Sequence, residues 1–445
     1  MGRPSHSRAL SVWMNGQRVG VWVLNRNAEH SLQYDKEWMN SAAGRPLSLS
    51  LPFIGDNAIR GERVGNYFDN LLPDSDTIRL RLATRFKTQG TDAFNLLQAI
   101  GRDCVGAVQL LGSDEIPMDV HQINGKALSE SEIEALLIRT PHNNVFSNLD
   151  LQEELRISLG GAQEKTALLW HQGRWMQAEG STPTTHILKL PIGMVGHRNV
   201  DFSTSVENEW LCMNLLEAFG LPVAKTEILT FASQKVLCVE RFDRQMHSSG
   251  NWIMRLPQED FCQILGVPSH MKYENDGGPG LADIASVLIK SSQASVDIIT
   301  LLKAQLLFWL LSAPDGHAKN FSVRLLPQGR YQLTPLYDVM SILPVQGNGP
   351  NQFSIFKAKM AMAITGKNKH YLFKDIQRKH FNHLARKHFE LRDAEDVICH
   401  VLDTVPLAIE KMKNKIPNGF PNWVAESVFN GLKNSAQLMG TMPKN

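Results

Sequence analysis

A chain of 445 residues is longer than one ordinary core organises, so two or three packed units are expected, each burying its own interior. The 43% hydrophobic and 20% charged content is that of a globular protein, and no run approaches the roughly 18 uncharged apolar residues that span a bilayer, which argues against a membrane protein. A formal charge of +2 is too small for a nucleic-acid surface spread over the whole molecule, so charge has to be read region by region.

Residues 10–24 alternate apolar and polar around Asn15-Gly16, a pair able to supply positive φ at both central positions of a type I′ turn, and so predict a β-hairpin. Residues 47–51 (Leu-Ser-Leu-Ser-Leu) alternate with period two up to Pro52 and read as a strand, as does 105–111. Residues 67–86 have helical spacing interrupted by Pro73. These elements define a sheet-containing unit over residues 1–150. The polar stretch 112–151, with Pro117 and Pro141, is its expected boundary. Strands are expected within 155–170 and 186–190, separated by Gly180-Ser181-Thr182-Pro183, then a helix over 205–219 that stops at Gly220. Residues 236–239 read as an apolar strand running into the charged connector Glu240-Arg241-Phe242-Asp243. Residues 296–311 predict a helix buried on most sides, ending before Pro314, and the chain beyond Asp375 is helical in pattern. The fold class is α+β. The five cysteines, Cys104, Cys212, Cys238, Cys262 and Cys399, show no paired metal-ligand spacing and fit reduced, mostly buried thiols of a cytoplasmic protein, and no targeting segment is visible.

The densest chemistry lies in Pro314-Asp315-Gly316-His317-Ala318-Lys319-Asn320. In protein kinases a catalytic-loop Asp takes the substrate hydroxyl proton, and an Asn five residues later holds magnesium. Asp315 and Asn320 have that separation, and Asp338 follows a strand-like run as a second oxygen ligand. Upstream, Lys189 sits inside the apolar strand, where an ammonium needs an anion such as a nucleotide phosphate. On the next helix Glu209 shares a face with Met213 and Leu216 and is placed to pair with Lys189, whereas Glu207 reads as an exposed helix carboxylate. Ser158-Leu159-Gly160-Gly161-Ala162-Gln163-Glu164-Lys165 offers two glycines through which backbone amides can approach a phosphate. Glycine turn, strand lysine, helix glutamate, hinge, Asp-x4-Asn and metal Asp follow one another in the order a protein kinase requires.

The stretches Asn70-Leu71-Leu72-Pro73-Asp74-Ser75, Gly161-Ala162-Gln163-Glu164-Lys165-Thr166, Arg255-Leu256-Pro257-Gln258-Glu259-Asp260 and 315–320 resemble those of the HipA family, and the likeness runs from near residue 10 to near residue 430. That resemblance implies a two-lobed protein-kinase-like fold with a mostly helical C-terminal lobe: a nucleotide-binding part over 151–256 and a catalytic part over 257–445. It implies a toxin of a toxin–antitoxin pair that phosphorylates protein serines with ATP and magnesium. Its expected partners are a HipB-like helix-turn-helix antitoxin, operator DNA through that complex, and an aminoacyl-tRNA synthetase substrate. Residue by residue it implies Asp315 as general base, Asn320 and Asp338 as metal ligands, and Lys189 on the nucleotide phosphates. Further nucleotide contacts are expected from Gly160, Gly161, Ala162, Gln163, Glu164 and Lys165, from Glu240, Arg241 and Phe242, and from Gln258, His317 and Tyr337. Ser158 matches the family's autophosphorylation site. The sequence departs from ordinary kinases at Pro314, Gly316, Tyr337 and Val339, where those enzymes carry His-Arg and Phe-Gly around their aspartates.

Residues 357–388 hold nine Lys or Arg against one acid, Asp375, a local charge of +8 able to face DNA phosphates; the family places backbone contacts near Arg386 and Lys387. His380, His383 and His388 have helical spacing but no flanking acid and are assigned to a surface.

Overall fold

The computed structural model describes residues 7–55, 58–139, 158–160, 163–196, 199–347, 349 and 351–444. Strands Arg8–Met14 and Gln17–Leu24 pair antiparallel, and Asn15 and Gly16 turn between them with φ of 47° and 81°, as the expected type I′ hairpin requires. Strands His30–Tyr34 and Ala58–Arg60 extend the sheet on one side, and Val108–Gly112 closes the other, all antiparallel. Helices Glu62–Asp69 and Ala93–Ile100 cover this five-stranded sheet. Trp22 stacks on Phe68 at 3.9 Å and meets Phe94 at 4.8 Å, so one indole ties strand to both helices.

The expected strand at 47–51 is absent. The Tyr34 hydroxyl donates to the Leu51 carbonyl at 2.6 Å and accepts from the Leu47 amide at 2.8 Å, and the Leu49 amide donates to Glu259 at 2.8 Å. Side chains satisfy this backbone, so the alternating leucines form a buried turn rather than a ladder.

The second sheet has six strands in the order Thr226–Phe231, Gln234–Glu240, His186–Lys189, Lys165–His171, Arg174–Ala178, Gly125–Ala127. Its last strand and the following helix Glu130–Arg139, whose Ile133, Leu136 and Leu137 pack with Leu168 and Leu188, lie on the near side of the expected break at 150. The chain therefore changes units before residue 125; residues 140–157 lie outside those described. Helix Ser205–Ala218 packs between this sheet and a helical lobe built from Leu281–Leu288, Ala294–Leu310, Arg378–His388, Glu395–Lys415 and Asn422–Thr441. The architecture is α+β and two-lobed. Among the described residues no helix is long and apolar enough to cross a membrane.

The first unit docks through buried charge. Asp103 accepts from Arg244 at 2.9 Å, from Arg241 at 3.3 Å and from the Thr184 hydroxyl at 2.6 Å, with Arg255 at 3.3 Å. Burial opposes its ionisation, but these three guanidinium groups hold its carboxyl well below the usual range.

Candidate active site

Strand His186–Lys189 delivers Lys189 to the cleft beneath the second sheet. Its ammonium is buried and donates to Glu209 and to Asp338, each at 2.7 Å. Directly across the ladder stands Lys165, whose ammonium bonds the Gly160 carbonyl. Two lysines opposed in a sheet repel, and the two carboxylates offset that cost. Burial and the neighbouring Lys189 push Lys165 down to about 8. Lys189 goes the other way: burial favours its neutral form, yet Asp338 and Glu209 keep it firmly protonated. Burial raises Glu209 to about 7 against the pull of Lys189, while Asp338 is held well below the carboxylate range by Lys189 and Lys165 despite its own burial. Asp338 adopts a left-handed φ of 61°, a conformation Asp tolerates better than most residues and one that turns its carboxylate back toward Lys189.

Glu209 thus pairs as expected. Glu207 does not match its expected exposure: it is 4% exposed and accepts from Lys235 at 2.6 Å, because the helix carrying it is packed on nearly every side.

Helix Ala294–Leu310 is buried as its sequence predicts and ends at Leu310, which aims Pro314 and Asp315 into the same cleft. Gly316 follows because any Cβ there would meet the Phe308 ring at 2.6 Å, which explains glycine where ordinary kinases differ. The Asn320 side-chain amide donates to the Asp315 carbonyl at 2.8 Å and lies 3.5 Å from that of Asp338, so one residue joins the two aspartate loops and keeps its oxygen for another partner. Tyr337 donates to the Lys319 carbonyl at 2.8 Å, bracing the loop from the far side.

A cavity of about 730 Å³ is lined by Gly160, Gln163, Lys165, Lys189, Glu209, Glu240, Arg241, Phe242, Gln258, Asp315, His317, Asn320, Tyr337 and Asp338. Its walls toward the hinge are apolar, from Ile187, Val239 and Phe242. Among the described residues Nδ1 of His317 and Oε1 of Gln258 are buried there with no hydrogen-bond partner, a state that costs free energy unless a ligand supplies one.

Some expected contacts fall elsewhere. Arg241 lines the cavity, but its five guanidinium donors are taken by Asp243, Asp103, Thr184 and the Cys104 carbonyl, and its backbone amide donates to the Thr185 carbonyl at 2.9 Å, so no donor of this residue is left for a nucleotide. Glu164 is paired with Arg81 outside the cavity wall. Ser158 is fully buried, its hydroxyl donating to the Leu71 carbonyl at 2.7 Å. Gly161 and Ala162 lie outside the described residues. Arg386 and Lys387 are exposed on the last turn of helix Arg378–His388, away from the cavity. His380 is buried and stacks on His370 at 3.8 Å, contrary to its expected surface place, and among the described residues no group of three or more His, Cys, Asp or Glu side chains is arranged to hold a metal ion.

Sequence reasoning missed the contribution of the first unit. Asp74 accepts from Lys272 at 2.8 Å and lies 3.1 Å from Lys319, whose ammonium also donates to Asn70 at 2.9 Å. Asn70 and Asp74 stand in the stretch that carries the resemblance, which was the available signal, but their partners are about 200 to 250 residues away in the chain.

The HipA-like C-terminal domain model matches residues 157–409 and the HipA N-terminal domain model residues 10–111. Protein Y4mE of Sinorhizobium fredii is 34% identical over 361 residues, covering 80% of this chain and 81% of its own. The serine/threonine-protein kinase toxin HipA of Shewanella oneidensis is 27% identical over 367 residues, 80% of this chain and 78% of its own. A Shewanella oneidensis MR-1 HipA structure, solved with HipB and operator DNA, superposes with a TM-score of 0.77 at 22% identity over 96% of each chain, a likeness of fold.

Proposed function

The chain belongs to the HipA family, and from that premise we propose that it is a serine/threonine-protein kinase toxin that moves the γ-phosphoryl group of ATP to a serine of a protein substrate. The observation that carries the reading is the Lys189 ammonium bound at once to Glu209 and Asp338, in a cavity that also holds Asp315 and Asn320. This is the charge arrangement phosphoryl transfer needs.

In the proposed reaction Asp315 accepts the proton of the serine hydroxyl as its oxygen bonds to the γ-phosphorus and the bond to ADP breaks. Lys189 offsets phosphate charge from one side. The free oxygens of Asn320 and Asp338 suit a hard cation, since Asp338 stays ionised beside two lysines, and together they would hold magnesium, which neutralises charge on the nucleotide. His317 and Gln258 would satisfy their orphaned atoms on the nucleotide, and the backbone of Glu240–Phe242 would meet the base.

The same reading assigns Ser158 as an autophosphorylation site. Its burial supports a switch, because a dianionic group has no place under Leu71 and would force the loop out of the nucleotide site. We also assign a HipB-like antitoxin, operator DNA contact through Arg386 and Lys387 within that complex, and a translation component as target, an aminoacyl-tRNA synthetase with glutamyl-tRNA synthetase favoured, whose modification arrests growth and favours persistence. A cytoplasmic setting is supported by five unpaired cysteines.

Incubating the purified protein with γ-labelled ATP, magnesium and bacterial lysate tests the core of this. Label in protein is expected from wild type, and only a trace, measurable over long incubation, from Asp315→Asn, which still binds ATP. Label in a small metabolite, or no label from protein that still binds antitoxin and operator, would overturn the assignment in favour of a metabolite phosphotransferase or a silent corepressor.

A further inference from the structure

Asp315 has two backbone restraints and one side-chain restraint. Its carbonyl accepts from the His317 amide and from Asn320, each at 2.8 Å, which fixes the main chain but leaves the carboxylate free to rotate. Among the described residues the carboxylate has one hydrogen-bond partner, the Tyr273 hydroxyl, donating to Oδ1 at 2.7 Å. We propose that Tyr273 is a positioning residue for phosphoryl transfer: this bond locks the carboxylate plane and leaves Oδ2 to take the serine proton. The inference rests on the kinase reading above and adds a residue to it.

Such a bond is useful only if its donor is itself held. The Tyr273 carbonyl accepts from the amides of Asp276 at 3.1 Å and Gly278 at 3.0 Å, closing a tight turn. The next residue, Glu274, accepts from the Ala363 amide at 2.7 Å and pairs with Lys369 at 2.7 Å, which anchors the segment to the hairpin Lys359–Thr365/Lys369–Leu372. On the other flank, the Lys272 carbonyl accepts from the Ala318 amide of the catalytic loop at 3.4 Å. The phenol ring stands edge-on to His317, with centroids 5.1 Å apart. Turn, hairpin and catalytic loop thus converge on one ring, a built brace rather than a swinging cover. Burial, with the Asp315 charge beside it, keeps the phenol protonated and therefore a donor.

A rival role has to be distinguished. A hydroxyl bonded to the general base also occupies ground a substrate hydroxyl needs, so Tyr273 would act as a block if it had to leave before each turnover.

The test compares wild type, Tyr273→Phe, Asp315→Asn and the double variant, using γ-labelled ATP and following label into the chain itself and into lysate protein. The phenylalanine ring preserves the packing on His317. The brace predicts that Tyr273→Phe lowers the first-order rate constant at saturating ATP by about tenfold or more, in line with loss of a hydrogen bond to a charged group. The ATP concentration at half-saturation, binding of a fluorescent ATP analogue and thermal midpoint stay at wild-type values. Because the tyrosine acts through the aspartate, it lowers nothing further in the Asp315→Asn background. An unchanged rate, a faster rate, or an equal loss in both backgrounds would overturn the proposal, the faster rate identifying a block. If wild type labels no protein while binding ATP, the kinase reading itself fails, an outcome distinct from any effect of Tyr273.

Discussion

At the scale of single residues, what the fold does with Lys189 decides the chemistry. An ammonium buried in a sheet opposite another lysine is tolerable because Glu209 and Asp338 both reach it. Replacing it tests how much of that arrangement serves catalysis and how much serves folding. In Lys189→Ala, Glu209 loses its partner, but burial already raises that carboxyl to about 7, so it takes up a proton instead of remaining as a stranded charge. The variant is therefore expected to stay folded, with a loss of roughly 1–3 kcal/mol in denaturant titration. Its transfer rate per unit ATP should fall by at least about a hundredfold, since a charge on the phosphates is gone. Steady-state rates alongside the titration decide it: a rate within a few fold of wild type would remove Lys189 from the phosphate site.

Among elements, the turn at 47–51 is tied to strand Gln258–Asp260 by Glu259, which is buried and accepts the Leu49 amide at 2.8 Å. Burial lifts this carboxyl from 4.5 to about 8, with the Ser48 hydroxyl and the Leu49 amide acting the other way. The folded protein thus retains a proton that the unfolded chain releases near its ordinary value. Between about pH 4.5 and 8 the native state binds more protons, so this residue makes stability fall as pH rises through that window. Glu259→Gln keeps an acceptor for Leu49 and removes the titration. It should raise stability at pH 8 by on the order of 2 kcal/mol and leave it nearly unchanged at pH 4.5, read from denaturant midpoints at the two pH values. Equal midpoint shifts at both would show that Glu259 is already ionised when folded.

For the whole molecule, the basic stretch 357–388 matters as a face. Lys369 is spent on Glu274 and buried Arg378 on Glu395, so these two of the nine cations do not contribute to it. The rest, including Arg386 and Lys387, are exposed. In the proposed complex with a HipB-like antitoxin and operator, the protein should lose salt sensitivity when Arg386 and Lys387 are both changed to Gln, the log–log slope becoming shallower by about 2. The helix stays intact because both side chains project into solvent. An unchanged slope across a salt series would place the operator on another surface.

Local rules gave the Asn15-Gly16 hairpin, the buried helix leading to Pro314, the split at Pro73 and the Lys189–Glu209 partnership, since each depends on neighbours within a few turns or on one strand and the next helix. The order of catalytic groups and the family resemblance were likewise written in the chain. Three things were not: the turn at 47–51, the occupation of every Arg241 donor, and the reach of Asp74 and Tyr273 into the catalytic loop. Apart from Asp243, two residues from Arg241, and Tyr34 beside the turn, the partners lie roughly 40 to 250 residues distant. Periodicity reports which side of an element turns inward, but it carries no information about which distant polar atom waits there, and in this protein two of those distant pairs, Asp74 with Lys319 and Tyr273 with Asp315, tie the loop 314–320 to the rest of the fold.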